Sequence, residues 1–161
     1  MNRESEPVRV VFVCWGNICR SPMAELVAER EAADAGLAGV EFSSAATSRE
    51  ELGAPIDRRA AAVLAESGYR TDGHRAHQIT RDEIERADLV IAAEQIHLDK
   101  MRALAPDADN LSLISDYDPS ADPGSGLPDP WYGTQDGFYG TLAAVRAAMP
   151  GILDKVRELQ R

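Results

Sequence analysis

Val8-Arg-Val-Val-Phe-Val-Cys14-Trp-Gly-Asn-Ile-Cys-Arg20-Ser-Pro22 is the stretch from which the rest of the chain is read. Val8 to Val13 is a β-branched apolar run, the pattern of a strand buried on both faces. Met23 to Ala35 is helix-forming, and Pro22 suits the first helical position, where its missing N–H has no partner to lose. The loop between them begins at Cys14, ends at Arg20 and holds Gly16 and Asn17. A strand feeding a tight loop that opens a helix aims backbone N–H groups and the positive helix end at one point. That point is predicted to bind an anion.

The residue types specify the chemistry. A helix N-terminus and a nearby guanidinium favour a thiolate, so Cys14 is expected to be a nucleophile at neutral pH. Arg20 carries a planar fork that grips two phosphate oxygens. A thiolate beneath an Arg-clamped phosphate is arranged for in-line attack on phosphorus, through a cysteinyl-phosphate intermediate. The amides of Trp15, Gly16, Asn17, Ile18, Cys19 and Arg20 would cradle the equatorial oxygens. Ser21 sits where its hydroxyl can donate to the Cys14 sulfur and help it leave. The plainer alternative is a buried structural Cys with a solvated Arg; the spacing and the strand-loop-helix context together favour the phosphatase.

Cys14-Trp-Gly-Asn-Ile-Cys-Arg20-Ser-Pro-Met-Ala-Glu25, preceded by Val-Val-Phe-Val, resembles the signature of the low-molecular-weight protein tyrosine phosphatases. Asp129-Pro130-Trp131-Tyr132 is similar to that family's acid loop, and Ser44-Ala-Ala-Thr-Ser48 and His74-Arg-Ala-His-Gln-Ile-Thr80 are weaker matches. The resemblance implies hydrolysis of phosphotyrosine in protein substrates, with Cys14, Arg20 and Asp129 as the catalytic set. It implies that Ser44, Asn17 and His74 prop the phosphate loop, and that Cys19 forms a reversible disulfide with Cys14. Such a disulfide would intercept a sulfenic acid before irreversible oxidation; Cys19 as a small packing residue is the alternative. Asn17, which tolerates left-handed backbone, has a purely conformational alternative too.

A chain of 161 residues is expected to form one domain over 1–161, with a core that needs neither disulfides nor metal. Its net charge of −10 argues against nucleic acid and anionic membranes as partners. Met1 to Glu6 is polar, a frayed tail rather than a signal peptide, and no apolar run is long enough to span a bilayer. Cytoplasmic placement follows, with signal-less export open, as a monomer or weak dimer. The spacing of His74, His77 and the two Cys offers no zinc pattern, so no metal or cofactor is expected.

Further along, Val40 to Ala46 reads as a second strand, and Pro55 to Ser67 as a helix with Ile56, Ala60, Val63 and Leu64 inward. Thr80 and Glu83 form a capping box for a short helix. Asp88 to Ala93 reads as a buried strand, Glu94 to Leu104 as a helix with Ile96, Met101 and Leu104 inward, and Leu111 to Ile114 as a fourth strand. His77 and His97 read as surface residues. The alternation predicts an α/β doubly wound fold, a four-stranded mainly parallel sheet with helices on both faces and ligands at the strands' carboxyl ends.

Ser115 to Trp131 is rich in Asp, Pro and Gly and lacks Lys and Arg, a long loop of the functional kind. Asp129 lies between Pro128 and Pro130, which stiffen its presentation. A carboxyl there would protonate the tyrosyl oxygen and later activate water. Trp131 and Tyr132 read either as core aromatics or as walls for a phosphorylated ring. Phe138, Leu142, Val145, Met149, Ile152, Val156 and Leu159 make one helical stripe, with a kink or a break into two helices expected at Pro150-Gly151. The stripe is expected to cover a sheet face, with a coiled-coil partner as the minor alternative.

Trp15 stands where the family commonly has a smaller residue, and Glu50 where some relatives carry an aromatic. Both are assigned to the substrate pocket with Trp131 and Tyr132. A related subgroup that dephosphorylates arginine is recognised by a Thr at the position of Ile18, so Ile18 favours phosphotyrosine. Arsenate reduction needs thiols beyond Cys19, and none exists. The non-enzyme alternatives are a phosphopeptide-binding module and a redox sensor built on the loop.

Overall fold

The computed structural model describes residues 6–161, so the expected tail lies outside the described residues apart from Glu6. Strand β1 (Val8–Cys14) leads to helix α1 (Arg20–Asp34), β2 (Val40–Ala46), α2 (Arg58–Glu66) and α3 (Arg81–Arg86). Then come β3 (Leu89–Ala92), α4 (Gln95–Leu104), β4 (Leu111–Leu113), a 3-10 turn over Ile114–Tyr117 and the long α5 (Gln135–Leu159). The sheet has four strands in the order β2-β1-β3-β4, every pair parallel. Among the described residues no helix is long and apolar enough to cross a membrane.

Side-chain alternation along β1 divides the core. Val10, Phe12 and Cys14 join Leu89 and Ile91 under α1, α2 and α5. Val11 and Val13 join Val90 and Ala92 under α3 and α4. Both faces are therefore covered, which is why β1 and β3 read as continuous apolar runs. Burying one Val or Phe side chain in such a core is worth about 2 kcal/mol.

Four helices depart from expectation, and α2 does so only in starting at Arg58, behind the Asp57 cap, instead of Pro55. α1 starts at Arg20, so Pro22 lies inside the first turn, where its missing N–H still costs nothing. In α4, His97, Leu98 and Met101 are buried, whereas Ile96 is 50% and Leu104 41% exposed. The inward stripe begins at His97, not Ile96, so His97 is not a surface residue. α5 runs unbroken through Pro150. The next residue sets how closely α5 packs: a Cβ on Gly151 would collide with the Tyr117 carbonyl oxygen, so only glycine lets the helix lie against the 3-10 turn. The α5 stripe from Phe138 to Val156 is buried against the sheet face it shares with α1 and α2, leaving nothing for a coiled-coil partner.

Candidate active site

The loop between β1 and α1 emerges at the carboxyl edge of the sheet, beside the end of β3. Four of its carbonyls are held from outside the loop. Thr47 N donates to Cys14 O at 2.9 Å, Ser48 N to Trp15 O at 3.0 Å and Asp57 N to Ile18 O at 2.8 Å. His74 Nε2 lies 2.6 Å from Asn17 O, which makes that nitrogen the donor. In a trans peptide the N–H points opposite to the carbonyl of the preceding residue. The amides of Trp15, Gly16, Ile18 and Cys19 therefore point inward. No side chain among the described residues caps α1, so its first N–H groups face the same hollow.

Asn17 holds this conformation. It is fully buried and is the one non-glycine in the described chain with positive φ, at 58°. Its Nδ2 donates to Ser21 Oγ at 2.8 Å and to Ser44 Oγ at 2.9 Å, while Oδ1 accepts from His77 N at 3.2 Å. Ser44 Oγ donates in turn to Glu25 Oε1 at 2.5 Å. Ser21 Oγ lies 3.0 Å from Cys14 Sγ. Asn17 thus serves both the conformational and the hydrogen-bonding roles weighed for it, and Glu25 is a member of the network that the sequence did not reveal.

Arg20 is 2% exposed. Its Nη1 bonds the Glu94 carboxylate and donates to Leu127 O at 2.8 Å, and Nη2 lies 3.6 Å from Asp129 Oδ2. Leu127 is itself anchored, its N–H donating to Ala93 O at 2.6 Å. Asp129 Oδ1 accepts from Trp131 N at 3.0 Å. Cys14, Arg20 and Asp129 line one hollow of about 140 Å³ together with Trp15, Gly16 and Ile18. Glu50, Trp131 and Tyr132 form its rim. Trp131 (40% exposed) and Tyr132 (93%) are surface aromatics, not core residues. Trp15 Nε1 donates to Glu50 Oε2 at 2.9 Å, and Lys100 Nζ stands 5.0 Å from the centre of the indole.

Electrostatics follow from burial. His97 Nδ1 accepts the Glu94 N–H at 3.1 Å, and the ring is pushed down to about 4, first by desolvation and then by the Arg20 charge. Burial also lowers His74. Cys19 is a free buried thiol, raised well above its ordinary range by desolvation and then by Asp57. Glu94, His97, Glu51 and Arg59 belong to the site or its support and were missed from sequence. One signal was available for Glu94: it directly follows the carboxyl end of the second buried strand, where doubly wound folds place ligand-binding groups. Among the described residues no group of three His, Cys, Asp or Glu side chains could hold a metal.

The sequence profile described as low molecular weight phosphotyrosine protein phosphatase matches residues 9–161. A low molecular weight protein-tyrosine-phosphatase of Streptomyces coelicolor is 47% identical over 155 residues, covering 93% of this chain and 94% of the relative. Low molecular weight protein-tyrosine phosphatase A of Mycobacterium tuberculosis is 38% identical over 156 residues, covering 96% and 94%. Among solved structures, YfkJ from Bacillus subtilis superposes with a TM-score of 0.88 at 25% identity, covering 98% of this chain and 99% of that one. The chain belongs to the low molecular weight phosphotyrosine protein phosphatase family, a family of hydrolases.

Proposed function

We propose that this protein hydrolyses phosphotyrosine in protein substrates with Cys14 as nucleophile, Arg20 as phosphate clamp and Asp129 as general acid and base. The observation that carries the reading is the convergence of those three side chains on one small hollow beneath inward-facing amides. Cys14 Sγ attacks phosphorus in line as the bond to the tyrosyl oxygen breaks, and Asp129 gives that oxygen its proton. The amides and Arg20 stabilise charge on the equatorial oxygens. Water then attacks the cysteinyl phosphate, Asp129 takes its proton, and Cys14 leaves as thiolate with inorganic phosphate as product.

Ser21 supports the departure of the sulfur. Its oxygen already accepts the Asn17 amide, so its own proton is available to Cys14 Sγ at 3.0 Å. Trp15, Trp131 and Tyr132 give the rim apolar faces for an aromatic ring. Ile18 adds a dry wall in place of the hydroxyl that a phosphoarginine would favour. A single domain over residues 1–161 carries the reaction without metal, in the cytoplasm, as a monomer or weak dimer.

Hydrolysis of an aryl phosphate in the presence of chelator tests the reading. Cys14→Ser is expected to be inactive yet still bind vanadate. Asp129→Ala is expected to lose most with poor leaving groups, by about a hundredfold. Equal loss for good and poor leaving groups, or faster turnover of phosphoarginine than of phosphotyrosine, would reject it.

A further inference from the structure

We infer that Arg59 is the positioning residue for the acid, locking the loop that carries Asp129 to the same helix end that holds the phosphate loop. The inference rests on the assignment of Asp129 as general acid. Asp57 caps α2, its Oδ1 accepting from Arg59 N at 2.8 Å and Ala60 N at 3.3 Å. The N–H of Asp57 donates to Ile18 O at 2.8 Å, so the first turn of α2 is tied to the phosphate loop.

The guanidinium of Arg59 continues the chain of contacts. Its Nε and Nη2 lie 3.2 Å from Asp57 Oδ1 and Oδ2 respectively, a two-pronged ion pair. That leaves Nη1, which donates to Trp131 O and to Gly133 O, each at 3.0 Å. The guanidinium also lies over the Trp131 ring at 5.1 Å and the Phe138 ring at 4.7 Å. Between the 3-10 turn ending at Tyr117 and α5 starting at Gln135 the chain has no regular element. Arg59 grips this irregular stretch two residues beyond Asp129, whose carboxylate accepts the Trp131 N–H. Trp131 is thus held through its carbonyl and its ring by Arg59 while its amide holds Asp129.

One planar group makes all of these contacts at once. A lysine has neither the fork for Asp57 nor the second edge for the two carbonyls. Protonation of a leaving group depends on where the acid stands, and a displacement of an ångström is costly. The phosphate loop does not depend on the Arg59 side chain, because its tie to α2 runs through the Asp57 backbone amide. Loss of Arg59 should therefore disturb the acid and spare the phosphate cradle.

The test compares kcat/KM for phenyl phosphate and dinitrophenyl phosphate, with vanadate inhibition as an independent readout of the phosphate loop. Wild type, Arg59→Ala, Arg59→Lys and Asp129→Ala are measured together. Both Arg59 variants are expected to lose about tenfold with the poor leaving group. Their kcat/KM with the good leaving group and their vanadate inhibition constants should stay within about twofold of wild type. Vanadate binding also certifies that the variants are folded at the site. If Asp129→Ala discriminates between leaving groups and the Arg59 variants do not, the clamp is overturned alone. If Asp129→Ala itself fails to discriminate, the acid assignment falls and the clamp with it. A matching loss of vanadate affinity in the Arg59 variants would mark general disruption and overturn the positioning role.

Discussion

Asn17 Nδ2 donates to Ser21 Oγ at 2.8 Å, and that bond decides where the Ser21 proton goes. With its oxygen accepting, Ser21 can donate to Cys14 Sγ at 3.0 Å or to the more distant Ala45 O at 3.4 Å. The shorter contact leads to Cys14, the proposed nucleophile. Ser21→Ala is therefore expected to slow breakdown of the cysteinyl phosphate more than its formation. Losing a hydrogen bond to a charged group costs about 2 kcal/mol, or roughly thirtyfold in rate. Rapid-quench kinetics on a good leaving group should show a burst in the variant, and a variant whose turnover stays unchanged would contradict the assignment.

His97 makes stability depend on pH. Its folded value is pushed down to about 4, against about 6.5 in an unfolded chain. Between those values the unfolded chain takes up a proton that the folded ring refuses. The contribution is complete above about 6.5 and is lost as pH falls towards 4, with a ceiling of about 3 kcal/mol. His97→Gln keeps an acceptor for the Glu94 N–H but does not titrate. Urea unfolding at pH 7.5 and pH 5 should show a smaller difference for the variant than for wild type. His74, lowered in the same direction, leaves a residual slope in both.

Trp15 is held from two sides, by Glu50 at the indole nitrogen and Lys100 over the ring. A fixed indole offers uniform binding to ground state and transition state. Trp15→Leu is expected to raise KM for aryl phosphates about fivefold with kcat little changed, from an aromatic contact of about 1 kcal/mol. Glu50 and Glu51 line the same mouth on a chain of net charge −10. Association with acidic phosphopeptides should accordingly speed up with salt, as stopped-flow measurements would register.

Cys19 is buried and held as the thiol by desolvation and by Asp57. If it rescues an oxidised Cys14, it must first lose that proton. Recovery of activity by added thiol after peroxide should be poorer in Cys19→Ala than in wild type, and wild-type protection should strengthen as pH rises above neutrality. Full recovery of Cys19→Ala would dismiss the protective role.

Much of the fold and of the candidate site was legible because it is local in sequence. The β-branched run before Cys14, the helix that follows the loop and the Thr80–Glu83 capping box each declare themselves within a few residues. The supporting residues do not. Glu94 meets Arg20 across 74 positions, and Arg59 meets Trp131 across 72. Glu94 offers only its place after the carboxyl end of β3, and nothing beside Arg59 separates it from other charged residues at a helix end. His97 misled because the stripe of α4 was phased on Ile96. A buried histidine one position later fits the helix equally well once Glu94 turns inward to Arg20.

Four contacts from three other segments meet on Asn17: Ser21 in α1, Ser44 in β2, and His74 and His77 in the connector before α3. That connector carries little regular structure between α2 and α3, and stretches of this kind open before a core does. Gentle warming should therefore silence the enzyme while the sheet remains intact, so thermal inactivation would run ahead of melting. The loop after β1, though fed by a strand with six of its seven residues buried, inherits the durability of its weakest neighbour.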